Sequence, residues 1–141
     1  MGLFSWLFGS NETFSKIILQ GADVTNGPGA FEVDVVGESH YQAALETICG
    51  GRNESGHRLE VKASLVPEND NPHDSKAVRI CIQDKTVGYL DRQTARAYRK
   101  KMAGIGLTDV TVKCDAVIVG GWDRGGGDRG YFGVKLDLPT A

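Results

Sequence analysis

The sequence predicts a mainly β domain, about six strands and two short helices folded as a small, strongly bent antiparallel sheet or barrel. Three observations carry that expectation. Val110, Val112, Cys114, Ala116 and Ile118 alternate with Thr111, Lys113 and Asp115, and Phe132, Val134, Leu136 and Leu138 alternate with Tyr131, Lys135 and Asp137. This period of two puts successive side chains on opposite faces of a strand. Glu68 to Leu90 sets a polar turn against two apolar runs with no helix between them. Nowhere do strands and helices alternate in the rhythm of a parallel crossover sheet.

In chain order, residues 1–30 read as an N-terminal extension and 31–139 as one domain. The apolar tip, Met1 to Gly9, is far shorter than the ~20 residues that span a bilayer, and no basic flank marks it as a signal peptide. Myristoylation wants Ser or Thr at the sixth position, where Trp6 stands. Two readings of the tip remain: a disordered or self-packed tail, or a hook of Leu3, Phe4, Trp6, Leu7 and Phe8 on a membrane interface or partner. A weak apolar patch follows at Phe14, Ile17, Ile18 and Leu19, ended by the breakers Asn26-Gly27-Pro28-Gly29.

Phe31, Val33 and Val35 alternate with Glu32 and Asp34 in a half-buried strand over Phe31 to Gly37, and Tyr41 to Cys49 is a short helix stopped by Gly50-Gly51. Arg58 to Val66 is a strand pointing Leu59, Val61, Ala63 and Leu65 one way. Two β-branched strands, Ala77 to Ile82 and Thr86 to Leu90, are joined by a Gln83-Asp84-Lys85 turn. Asp91 to Ala103 is a second helix with Asp91 as its N-cap, closed by Gly104 and Gly106.

At 141 residues the chain can bury one core. A net charge of −2 supplies no overall attraction to nucleic acid, so any such binding depends on a local patch. Cys49, Cys81 and Cys114 are odd in number and far apart, which indicates neither a zinc site nor a disulfide framework but reduced thiols in a cytoplasmic protein.

In Asn69-Asp70-Asn71-Pro72 the Asn and Asp side chains bond backbone two residues on, and Pro72 pushes Asn71 out of the α region, freezing the loop before His73 and Asp74. NDNPHDSKAV followed by VGYL, with GESHYQ upstream, resembles the HIRAN domain, whose pattern runs G-x-x-x-Y, E-x-x-N-P-x-D-x-x-A-V and V-G-Y-L before a short helix. The resemblance covers Phe31 to Met102 and extends toward Pro139. It implies an OB-like barrel and a module that captures the 3′ end of single-stranded DNA in repair or replication, partnered with a helicase or other DNA-processing protein. It also implies roles for this chain's residues. Asp74 accepts the 3′-hydroxyl proton, Asn71 braces the loop or contacts sugar and phosphate, and His40, Tyr41, His73 and Tyr89 offer π surfaces. DNA-binding eukaryotic members carry Arg-Tyr-Tyr where this chain has Ser39-His40-Tyr41, and a Tyr where it has His73.

Arg92, Arg96, Arg99 and Lys100 recur at helical spacing, with Lys101 beside them and no intervening acid, which predicts a cationic face able to hold phosphates. Gly125, Gly127 and Gly130 form a GxGxxG, but a strand rather than a helix follows, so the dinucleotide reading fails. What remains is a mobile hairpin loop whose Trp122, Arg124 and Arg129 have the composition to stack on bases and clamp a backbone. His40, His57 and His73 lack ligand spacing, no nucleophile motif is present, and no cofactor is implied. The leading expectation is a non-catalytic binder of single-stranded DNA ends. The alternatives are a protein-interaction or membrane-proximal adaptor using Met1 to Gly9 and, less favoured, a metal-dependent hydrolase.

Overall fold

The computed structural model describes residues 29–104 and 106–138, so the apolar tip and the Phe14 to Leu19 patch lie outside the described residues. It contains β1 (Val33–Asp34), a 3₁₀ turn at Glu38–His40, α1 (Gln42–Cys49), β2 (His57–Glu68), β3 (Ala77–Ile82) and β4 (Lys85–Tyr89). Then come α2 (Arg92–Gly104), β5 (Val112–Gly120) and β6 (Phe132–Leu136). The strands form one antiparallel sheet in the order β1-β6-β5-β2-β3-β4, curled into a bent, OB-like half-barrel as the sequence predicts.

Its two ends are joined by one residue pair. β1 pairs with β6 through Val33 and Asp34, but Val36, just beyond β1, exchanges hydrogen bonds with Tyr89 of β4: the Val36 N–H donates to the Tyr89 carbonyl at 2.8 Å and the Tyr89 N–H to the Val36 carbonyl at 2.9 Å. Gly88 permits this approach, because a Cβ there would lie 2.6 Å from the Val36 carbonyl oxygen. Where β6 is not paired with β1, its outer edge is covered by side chains. Gln42 exchanges hydrogen bonds with the Phe132 backbone at 2.8 and 3.0 Å, and Glu38 accepts the Val134 N–H at 3.2 Å.

The core takes the alternating residues Val33, Val35, Leu65, Cys114, Ile118, Val134 and Leu136, together with Leu45, Ile80 and Val87. The alternation in β2 runs beyond it: Ala63 and Leu65 are buried, whereas Leu59 is 37% exposed. β3 covers β2 only from Ser64 to Glu68, so among the described residues the first half of the strand pairs with β5 alone. The β3–β4 turn is Gln83-Asp84 alone, with φ of 52° and 63°, a type I′ geometry, and Lys85 belongs to β4. α1 ends at left-handed Gly50, as its glycine stop predicts. At α2, Asp91 accepts the Thr94 N–H at 2.8 Å and the Thr94 hydroxyl at 2.8 Å, the expected N-cap.

Candidate nucleic-acid interface

The loop between β2 and β3 is organised by two side chains. Asn71 Oδ1 accepts the backbone N–H of His73 at 2.8 Å and of Asp74 at 3.1 Å, the turn its sequence predicts, and its Nδ2 donates to Glu68 Oε1 at 3.0 Å. Glu68, the last residue of β2, also accepts the Tyr89 hydroxyl at 3.1 Å and sets its other oxygen 2.9 Å from Arg79 Nε. One carboxylate therefore ties the loop to β3 and to the strand at the seam of the barrel. Burial, then the bond to Glu68 and its negative charge, then the neighbouring Tyr41, push the Tyr89 hydroxyl up to about 12, so it remains a donor at neutral pH.

Residues 67–73 and Tyr89 line a groove of about 530 Å³. Beside it Asp74 leaves 13% of its side chain exposed and accepts the Lys76 N–H at 3.0 Å. Arg96 and Arg92 approach the Asp74 carboxylate at 3.4 and 3.5 Å, longer than the ~2.7–2.9 Å of a tight charge-assisted bond. The Asp74 carboxyl sits below its ordinary value, first through the Lys76 N–H, against the opposing effect of desolvation, then through Arg96 and Arg92. It is an ionised acceptor flanked by two loosely held cations.

Comparison with known families matches residues 28–116 to the HIRAN domain. The chain belongs to the HIRAN family. That family is characterised by recognition of single-stranded DNA 3′ ends in replication and repair, and its members are non-catalytic nucleic-acid-binding modules. No curated protein and no solved structure matches the chain. The HIRAN match ends within β5, yet the remainder of β5 and β6 complete the same sheet.

The residues singled out from the sequence do not all converge. Asn71, His73 and Tyr89 line the groove, with Tyr41 next to Tyr89 and Asp74 next to His73. His40 is exposed on the 3₁₀ turn. Ser39 and Trp122 instead line a separate hollow of about 590 Å³ with Tyr131 and Phe132. Neither lining contains a Lys or Arg, and the end groove is the better match to a phosphate backbone because Arg92 and Arg96 stand beside it at Asp74.

The single cationic face on α2 needs correction. Arg92, Arg96 and Lys100 are exposed, but Arg99 is 8% exposed and donates to Asn69 Oδ1 and, at 3.1 Å, to the Ser75 carbonyl. Helical spacing placed Arg99 with the others, but the β2–β3 loop covers its side of the helix.

In the glycine-rich loop the expected base-stacking and clamping residues pair with one another and with the loop's own acids at the surface. Arg124 lies over the Trp122 ring at 5.2 Å and 3.7 Å from Asp128, Arg129 pairs with Asp123 at 3.3 Å, and Trp122 donates to Asp128 at 3.2 Å. From outside the loop Arg52, which the sequence reading did not single out, donates to the Gly130 carbonyl at 2.6 Å with its guanidinium 4.9 Å from the centre of the Phe132 ring.

His57 is structural, its Nδ1 being 2.9 Å from the Gly120 carbonyl. Glu68, which the sequence analysis does not single out, is the residue that ties this loop to the sheet. It opens the E-x-x-N-P-x-D block, and a carboxylate three residues before Asn71 with a tyrosine on the paired hairpin was the available signal.

Among the described residues no group of three or more His, Cys, Asp and Glu is arranged to hold a metal, and no helix is long and apolar enough to cross a membrane.

Proposed function

We propose that this HIRAN domain holds the 3′-terminal nucleotide of single-stranded DNA in the groove beside Asp74, in the cytoplasm and in the service of a helicase or another DNA-processing protein. The observation that carries this reading is the composition around Asp74: one ionised acceptor for a hydroxyl, with Arg92 and Arg96 at 3.5 and 3.4 Å to meet the adjacent phosphate. Those cations stand in for the one missing at Ser39. His73 and Tyr89 border the groove and offer ring faces to the last bases.

The test is a titration of three labelled oligonucleotides, ending in a 3′-hydroxyl, ending in a 3′-phosphate, and closed as a blunt duplex. The single strand with a free hydroxyl binds best, because a terminal phosphate places negative charge against the Asp74 carboxylate. Asp74→Ala weakens hydroxyl-end binding by on the order of tenfold and erases discrimination against the phosphate. Equal binding of both ends by the wild type contradicts end recognition. Absence of binding to all three moves the reading to the protein-interaction adaptor.

A further inference from the structure

On the far side of Asn69 from the end groove lies a second cleft, of about 360 Å³, lined by Asn69, Lys76, Arg96, Arg99, Lys100, Ala103 and Thr108. Four of these residues are cations and none is an acid. Two acids border it through its own lining residues: Asp74 pairs with Arg96 at 3.4 Å, and Asp109 accepts from the Asn69 side-chain amide at 2.6 Å. The decisive group is Arg99. Its Nη2 is used by Asn69 and Ser75, but its Nη1 is buried without a hydrogen-bond partner. The buried Arg99 guanidinium has no carboxylate counter-ion among the residues lining the cleft, and an oxyanion there would supply one. Lys76 and Lys100 at the rim add charge at little cost, since both are exposed.

We propose that this cleft is a second phosphate subsite, holding a backbone phosphate internal to the 3′ end while the end groove holds the terminal nucleotide. The inference rests on the end-binding reading. The two sites are contiguous because Asn69 lines both, and because Arg96 reaches from the cleft to Asp74. The strand would leave the end groove over Asn69 and pass between Lys76 of the β2–β3 loop and Lys100 of α2.

The test uses the full chain and the double variant Lys76→Gln, Lys100→Gln, whose exposed side chains can be changed without disturbing the fold. Arg99 is left in place because its removal would unseat Asn69. Binding is measured to a ten-nucleotide single strand and to a 3′-terminal dinucleotide, across a salt series. On the longer strand the variant binds on the order of tenfold more weakly, and the log–log salt slope falls by about 0.7 per lost phosphate contact. Dinucleotide binding and the preference for a 3′-hydroxyl are unchanged. An unaltered affinity and slope on the ten-nucleotide strand overturns the subsite.

Loss of long-strand binding in the variant, when the wild type shows no end preference, supports the subsite and rejects the end groove. Inorganic phosphate is the remaining probe: if it shifts the Arg99 guanidinium resonances and the ten-nucleotide strand does not, the cleft serves a small phosphate and the proposal for the strand is overturned.

Discussion

Glu68 shows how much of the interface hangs on one side chain. Its carboxylate is the shared acceptor for Asn71 and Tyr89 and the counter-ion of Arg79, so Glu68→Ala removes the acceptor of two donors and leaves Arg79 with Thr86 and Cys81 alone. A loss of about 1–3 kcal/mol in urea unfolding follows, together with weaker end binding, because the Asn71 turn loses its brace. Glu68→Gln keeps an acceptor for two of the three partners and should lose less on both counts. Tyr89 supplies a second test, through pH. Its folded value of about 12 lies above the ordinary value of about 10, so the folded state retains the proton that the unfolded state gives up between them. The associated stability is complete below about pH 10 and is lost as pH rises through about 12. Tyr98, raised by burial, pulls in the same direction, so the measurement is a comparison. Tyr89→Phe should show a shallower alkaline decline in stability than the wild type, and an identical decline would mean that the Tyr89 hydroxyl is not held as described. The turn chemistry of Asn71 was legible because an Asx turn is local. The role of Glu68 was not, because its partners Tyr89 and Arg79 reach it only through strand pairing.

Elements were legible where one face meets the core and the other meets water. The alternations of β5 and β6, the glycine stop of α1 and the Asp91 cap of α2 all have local physical causes, and each is present. The misreadings arise where the third dimension decides. Arg99 has the spacing of a surface cation but lies under the β2–β3 loop, and Leu59 has the phase of a core residue but sits where β2 has passed beyond the core. The cap and the hairpin give two predictions at this scale. Asp91→Ala should cost about 1 kcal/mol of stability by denaturant unfolding, with Asp91→Asn nearly neutral. Since α2 carries Arg92 and Arg96, the alanine variant should also bind oligonucleotides more weakly. The β3–β4 turn holds two non-glycine residues at positive φ. The pair Gln83→Asn, Asp84→Gly suits that geometry better and should raise stability by about 0.5–2 kcal/mol with end binding unchanged, as this turn contributes no residue to the groove. A fall in stability would mean that the turn is not of type I′ in solution.

For the molecule as a whole, the seam between Val36 and Tyr89 connects fold and function. The curled sheet has two ends, and the groove lies where they meet: Tyr89 closes the seam with its backbone while its side chain lines the groove and bonds Glu68. Loosening the seam should therefore disturb recognition without touching any residue that would contact DNA. Gly88 is the place to do it, because its φ of 154° and the nearness of the Val36 carbonyl leave no room for a side chain. Gly88→Ala should cost about 2–4 kcal/mol, as the added methyl must push Val35 and Val36 away from β4. Gly50 is the control. It has a positive φ of 78° but open space around its Cβ position, so Gly50→Ala should cost only about 1 kcal/mol and leave binding unchanged. Measured under conditions where both variants remain folded, the Gly88 variant should lose 3′-hydroxyl preference, because Tyr89 and Glu68 no longer hold the Asn71 loop in register with Asp74. It should keep most of its salt-dependent affinity, since Arg92, Arg96 and Lys100 lie on α2, an element the seam does not organise. If end preference survives the opening of the seam, the β2–β3 loop is self-sufficient and the barrel serves only to carry it. If affinity and preference fall together, the cations of α2 are themselves positioned by the closure.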